Sequence, residues 1–240
     1  MSESKILNVR DVNVHLDQIG CAKPDEIVSL SQIKGQNIFI INSADIEKKI
    51  KEKYLCVRDI KLLKKLPDRI QIIVSGRAPV AALISLGLEE TSQSAILDIR
   101  FMATASTIPI NSTQLLVDSE GVIYSQTSEN SNIPKIYFWA SNLKLGKKLE
   151  DNIIKKSLTI LDKLKEFRVT VKDAKIISQK NLVVETKENL VLGFLLTGNI
   201  DIQLASLQLI LEEAKIKDVK MESIDLRFEK PVVKYAPIKK

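Results

Sequence analysis

Hydrophobic and polar positions in the first third of the chain follow first a strand period and then a helix period. Val12, Val14 and Leu16 alternate with polar residues, which is the pattern of a half-buried strand. The predicted elements, in order, are a strand in residues 5–17, a helix beginning at 23–26, a helix in 44–53 with Ser43 as its N-cap, and strands in 57–65 and 69–75. The order β-α-α-β-β predicts a small α+β unit.

From residue 77 onward the pattern favours strands separated by turns, with two helices among them. Predicted strands cover 81–86, 95–103, 114–117, 122–125, 136–139, 169–178, 181–186 and 191–195, and predicted helices cover 149–167 and 202–215. The second helix carries Leu204, Leu207, Leu211 and Ala214 on one face. We expect Phe138 and Trp139 to be core residues rather than a sugar-stacking surface.

The last twenty residues predict a strand pair. Residues 222–228 alternate, with Ile224, Leu226 and Phe228 on one face and Ser223, Asp225 and Arg227 on the other. A short run, 232–236, then stands between Pro231 and Pro237. Because proline cannot donate to a β-ladder, this run is expected at the edge of a sheet.

Composition places the chain among folded globular proteins of one or two domains. It has 240 residues, 45% of them hydrophobic and 28% charged. The net charge of +6 comes from dispersed lysines without interleaved aromatic residues, so no nucleic-acid partner is predicted. These lysines favour a solvated surface, with a mild attraction to anionic lipid headgroups or wall polymers as the alternative.

Candidate chemistry is sparse. His15, Cys21 and Cys56 are too few for a Cys/His zinc site, and the cysteines are either two buried thiols or one disulfide. No nucleotide-binding motif occurs, and the paired acids stand at turns or on solvated faces. No catalytic, metal or cofactor site is predicted, and an enzyme is not expected. No apolar run reaches the roughly 18 residues of a membrane span.

Several short motifs, in this order, resemble the FtsQ/DivIB family of bacterial cell-division proteins. They are Gly35-Gln36-Asn37-Ile38-Phe39, the strand Pro67 to Val74, Arg77-Ala78-Pro79-Val80-Ala81, Leu115 to Tyr124 with Val117-Asp118 and Gly121, Leu192-Gly193, and Ile224-Asp225-Leu226-Arg227-Phe228. The resemblance spans residues 6 to 236. Departures are Gly76, where the family has an acid, the displacement of a glycine that often closes the first strand, and the missing transmembrane helix.

The resemblance implies an α+β protein of two domains. A POTRA domain (β-α-α-β-β) would occupy residues 5–76, a larger, mostly antiparallel β domain with two or more helices residues 77–236, and a basic tail residues 237–240. It also implies a single-pass membrane protein, with this portion outside the cytoplasm at the division septum and its membrane helix absent from this chain.

The function implied is that of a divisome scaffold, not an enzyme, that helps control septal peptidoglycan synthesis. Its expected partners are FtsB/DivIC-like and FtsL-like division proteins, bound by β-strand augmentation at the C-terminal edge. The candidate partner-binding residues are Phe228, Val232, Val233, Lys234 and Tyr235. Another POTRA-containing secretion or envelope-assembly module is the alternative, and a wall-active hydrolase is a third.

Overall fold

The computed structural model describes residues 5–17, 21–85, 113–127, 132–138, 143–177 and 179–237. The chain divides into two compact units, Met1–Ala78 and Pro79–Lys240. Helices and strands are mixed in both units, and the described residues contain four α-helices. The architecture is therefore α+β. The predicted strand 95–103 and Trp139 lie outside the described residues.

The described part of the first unit contains one small sheet and two α-helices. Its elements are a 3₁₀ turn Lys5–Leu7, β1 Asp11–Asp17, α1 Pro24–Ser31, α2 Ser43–Lys53, β2 Val57–Lys65 and β3 Arg69–Gly76. The strand order is β1-β3-β2, with β1 parallel and β2 antiparallel to β3. The central strand β3 buries Ile70, Ile72 and Val74 against the helices, because alternate residues of a strand face the same side.

Two details of the first unit differ from the sequence prediction. The first strand begins at Asp11 rather than at residue 5, because the preceding residues form a 3₁₀ turn. The N-cap of α2 is Asn42 and not Ser43, since the Asn42 side chain accepts a hydrogen bond from the Ala44 amide. The open question of the cysteines is resolved in favour of a disulfide.

That disulfide joins Cys21, before α1, to Cys56, before β2, with the Cα atoms 6.6 Å apart. It ties the start of the first helix to the strand that follows the second.

The second unit is built on one large sheet. Its elements are β4 Ala81–Ser85, β5 Gln114–Val117, β6 Ile123–Thr127, β7 Lys135–Phe138, α3 Asn152–Glu166, β8 Val171–Ile177, β9 Asn181–Thr186, β10 Val191–Leu195, α4 Ile200–Ile216, β11 Met221–Asp225 and β12 Val232–Tyr235. β5, β9 and β10 have the predicted bounds. Both helices were predicted, with all four ends displaced by one to three residues.

Within the described ranges this sheet has nine strands, in the order β12-β11-β10-β9-β8-β7-β4-β5-β6. Five neighbouring pairs are antiparallel, and three are parallel: β4 with β7, β7 with β8, and β10 with β11. The sheet is thus mixed. Helices α3 and α4 cover one face, where Phe194 and Ile136 of the strands meet Leu161 and Leu207 of the helices in one buried cluster. As expected, Phe138 lies in this core.

Candidate partner-binding edge

β12 is the terminal strand of the large sheet, and among the described residues β11 is its one sheet neighbour. The two strands are antiparallel, with Ile224 opposite Val233 and Asp225 opposite Val232. Towards the end of β12 the register shifts, since Met221 lies opposite Tyr235 while Ser223 lies opposite Lys234. Glu222 is therefore the extra residue of a β-bulge, a feature that sharpens the local twist of an edge.

Hydrogen bonds around β11 show which backbone groups of β12 point outward. The Leu226 amide donates to the Gly193 carbonyl of β10. Backbone groups of successive residues in a strand point to opposite sides, so those of Ser223 and Asp225 point to β12. On β12 the Ala236 amide donates to the Lys220 carbonyl. Residues of the same parity, Val232 and Lys234, therefore pair with β11. By the alternation of a strand, Val233 and Tyr235 direct their N–H and C=O groups away from the sheet.

Side chains on β12 divide between the two faces. Val233 lies against the buried cluster beneath the helices and is half-buried. Val232 and Tyr235 are each 57% exposed, so both side chains can contact a partner. Lys234 forms an ion pair with Glu222 of β11, with 3.8 Å between Nζ and the carboxylate oxygen. This pair crosses the bulge and adds charge to the edge, which discourages unspecific strand pairing.

The connection from β11 to β12 is held by an internal ion pair. The Asp225 carboxylate accepts from Arg227 at its backbone amide (3.1 Å) and at two guanidinium nitrogens (2.8 and 2.6 Å). Both side chains are only about one-tenth exposed. A bidentate pair shielded from water in this way fixes its geometry strongly. The guanidinium also lies 5.7 Å from the centre of the Phe228 ring, which is half exposed.

This ion pair overturns part of the sequence prediction. The strand predicted over 222–228 ends at Asp225, because the Asp225–Arg227 contact turns the chain. Phe228, predicted on the buried face with Ile224 and Leu226, is 50% exposed, whereas those two are buried. The predicted polar face is not solvated either: Ser223 and Asp225 are buried, since β11 is an inner strand.

The candidate residues do come together at one end of the sheet. Val232, Val233, Lys234 and Tyr235 form β12 itself, and Phe228 stands in the turn that leads into it. Sequence reasoning missed the contribution of Glu222 and of the Asp225–Arg227 pair. Alternation along the chain could not reveal them, because a bulge and a turn-forming ion pair depend on which strands lie alongside.

The strongest electrostatic perturbations lie elsewhere, along β7 and β8. Burial raises the pKa of Tyr137 to about 12, with the Asp173 carboxylate adding to the rise. Burial also raises the pKa of Asp173 and lowers that of Lys175, which lies opposite Tyr137 in the sheet. Glu185 lies opposite Asp173 and bonds Lys172 at 2.9 Å. Alternating charges on neighbouring strands stabilise a sheet, so this cluster has a structural explanation.

A groove of about 370 Å³ lies at the carboxyl end of α3, lined by residues that include Pro79, Asp162, Lys165 and Arg168. Asp162, Lys165 and Arg168 are exposed, and the groove adjoins neither β12 nor the perturbed groups of β7 and β8. Within the described ranges, no three His, Cys, Asp or Glu side chains group as metal ligands. No helix in that part of the chain is long and apolar enough to cross a membrane.

A scan of the sequence against models of known protein families gives no match, and no curated protein matches it significantly. The functional assignment therefore depends on the residues and the geometry described above.

Proposed function

We propose that this chain is the extracytoplasmic part of an FtsQ/DivIB-type division protein, a non-enzymatic scaffold of the divisome anchored in the cell membrane. In this proposal the first unit is a POTRA domain and the second is the family's β domain. The element order β1-α1-α2-β2-β3 and the motifs quoted above support the first assignment. The partners would be FtsB/DivIC-like and FtsL-like proteins, recognised at the division septum.

One observation carries the binding mechanism: β12 ends the large sheet and presents outward backbone groups at Val233 and Tyr235. An extended partner segment can add a tenth strand there, with main-chain hydrogen bonds supplying affinity. Exposed Val232, Tyr235 and Phe228 then supply side-chain contacts, because apolar and aromatic groups dominate the energetics of interfaces.

The test is a binding measurement by calorimetry, using this chain and the extracytoplasmic part of the FtsB/DivIC-like protein from the same genome. Val233→Pro removes an outward N–H without removing a hydrogen bond to β11, and we expect it to weaken binding at least tenfold. One lost hydrogen bond and the clash of the proline ring with an incoming strand account for this size.

Two matched variants distinguish loss of the outward hydrogen bond from loss of side-chain packing or of the fold. Val233→Ala removes the side-chain packing but keeps the N–H, so it should bind within about threefold of the parent, since exposed or half-buried contacts contribute little individually. Lys234→Pro removes an inward bond to β11 and should lower the melting temperature as well as binding. Parent-like binding by Val233→Pro would rule out augmentation at β12.

A further inference from the structure

Helix α4 carries two apolar faces, and the large sheet covers one of them. Leu204 and Leu207 are buried against the strands. On the opposite side Ile202 is 64% exposed, Leu209 68% and Ile216 84%. A surface helix of a globular protein normally has one apolar stripe and a polar opposite face, so this second stripe lacks an explanation within the fold.

The three exposed side chains form a regular line. They are spaced seven residues apart, and a heptad step turns an α-helix by only about 20° away from a straight row. At a rise of about 1.5 Å per residue, the line is roughly 21 Å long. A coiled coil has two apolar positions in each heptad, whereas here one position repeats, so the line is a narrower apolar contact surface than a coiled-coil seam. We name Ile202, Leu209 and Ile216 the outer stripe.

Residues beside the outer stripe differ between its two halves. Near Ile202 they are small, Ala205 and Ser206, whereas near Ile216 they are the longer Glu212 and Glu213. Charge differs in the same way. Asp201 stands at the amino end, and Lys217 stands just past the carboxyl end. The hydrogen bond from Lys217 to Glu213 raises the pKa of Lys217 and keeps it cationic.

The difference in side-chain length makes the stripe complementary to itself when a second copy is turned end for end. If Leu209 meets Leu209 on a two-fold axis, Ile202 of one copy meets Ile216 of the other. Ala205 and Ser206 then face the longer glutamates. Antiparallel helix dipoles also attract one another. A parallel pair would instead place Glu212 and Glu213 against their own copies.

We propose that α4 is the interface of a homodimer, formed by antiparallel packing of two outer stripes about a two-fold axis at Leu209. Such an isologous interface needs one self-complementary surface, which is what the stripe provides. One helix pair buries less than the roughly 1,200 Å² of a standard interface, so the dimer is a weak, concentration-dependent one. An anionic membrane is disfavoured as the occupant, because Asp201, Glu212 and Glu213 flank the stripe.

Cysteine crosslinking of the full chain tests this geometry and does not involve the β12 edge. Cys21 and Cys56 are bonded to each other, so an introduced thiol is the single new free one. Leu209→Cys lies on the two-fold axis and should form a disulfide-linked dimer under mild oxidation. Ile202→Cys should not, because the two copies of residue 202 are then roughly 21 Å apart. The double variant Ile202→Cys/Ile216→Cys should crosslink again.

Sedimentation velocity over a hundredfold range of concentration supplies the second readout. The native chain should shift from monomer towards dimer, and Leu209→Asp should remain monomeric with an unchanged melting temperature. Thr159→Asp, an exposed position on α3, is the matched control and should associate as the native chain does.

Each contrary result overturns the proposal in a different way. Efficient crosslinking of Ile202→Cys would indicate a parallel pair. Absence of a dimer in both assays would rule out self-association, and a helix of another protein would then be the candidate for packing on the outer stripe. Unchanged association of Leu209→Asp would place the contact on another surface.

Discussion

Helices α3 and α4 cover the same face of the same sheet, yet they differ in the residues on their outward faces. On α3 the buried residues Ile154, Leu158 and Leu161 form one stripe, and outward positions such as Lys155 and Thr159 are polar. On α4 the outward positions include three large apolar side chains. Burial against the sheet therefore explains the composition of α3 completely, but only half of the composition of α4.

Both helices end with the same backbone arrangement, so their C-termini do not account for the difference between their outward faces. Arg168 follows α3 and Asp218 follows α4, each with a positive φ, of 60° and 50°. After each, the next amide donates back to the last turn, from Val169 to Leu164 and from Val219 to Ala214. This is the Schellman arrangement, and it stops both helices at the same kind of boundary. The difference between them thus lies in their faces, not in their ends.

The largest expected effect is the difference in stability between a substitution on the buried face of α4 and one on its exposed face. Leu207→Ala should lower the free energy of unfolding by about 2–5 kcal/mol, because it leaves a cavity in the core. Leu209→Ala, two residues away, should change it by less than about 0.5 kcal/mol when measured on the monomer. Urea denaturation of dilute protein measures both. Equal losses would mean that the outer stripe is part of the core.

A smaller effect contrasts two buried polar side chains. The Gln203 amide of α4 joins the helix to β10, accepting from the Leu195 N–H at 2.8 Å and donating to the Leu195 carbonyl at 3.0 Å. Gln203→Ala should lower the free energy of unfolding by about 1–3 kcal/mol, since it removes the partner of the half-buried Leu195 N–H, while the Leu195 carbonyl still accepts from the Gly198 amide.

Ser157 of α3 is the matched control for that substitution. It is also buried, but its hydroxyl donates to the Ile153 carbonyl of its own helix at 2.9 Å. Ser157→Ala should therefore be neutral within about 0.5 kcal/mol, because that carbonyl keeps its backbone partner. A cost as large as that of Gln203→Ala would contradict the distinction.

The smallest expected effect is the loss of stability on removing the N-cap of either helix. Asn199 caps α4 by accepting from the Asp201 and Ile202 amides (3.0 and 3.3 Å), and Asp151 caps α3 by accepting from the Ile153 amide (2.7 Å). Alanine at either position should lower the free energy of unfolding by about 1 kcal/mol. Thermal unfolding of the two variants checks this. A loss at only one of them would show that the caps are not equivalent.

Local pattern predicted the elements well, and its successes have a common cause. The inner face of α4, with Leu204 and Leu207, follows from a period of 3.6 residues, and β9 and β10 follow from runs of apolar residues between turn signals. Such patterns are set by neighbours in sequence. They determine where an element lies and which of its faces is buried.

What the sequence could not predict depends on neighbours in space. The parallel pairing of β4 with β7 and of β10 with β11 joins segments that are distant along the chain. The end of β11 at Asp225 requires the ion pair with Arg227, and the burial of Ser223 requires strands on both sides. The sequence prediction for α4 covered only the face with Leu204, Leu207, Leu211 and Ala214. The exposure of Ile202, Leu209 and Ile216 depends on which side of the helix the sheet covers.

The positions of the prolines around β12 limit what its edge can recognise. Pro231 and Pro237 have the same parity as Val233 and Tyr235, so both prolines stand where an N–H would otherwise point outward. They shorten the row of outward donors to two without removing a bond to β11. A partner strand displaced by two residues would meet a proline and lose half of these donors. In the proposed augmentation, this short row of donors would fix the alignment of the added strand by its length, independently of its side chains.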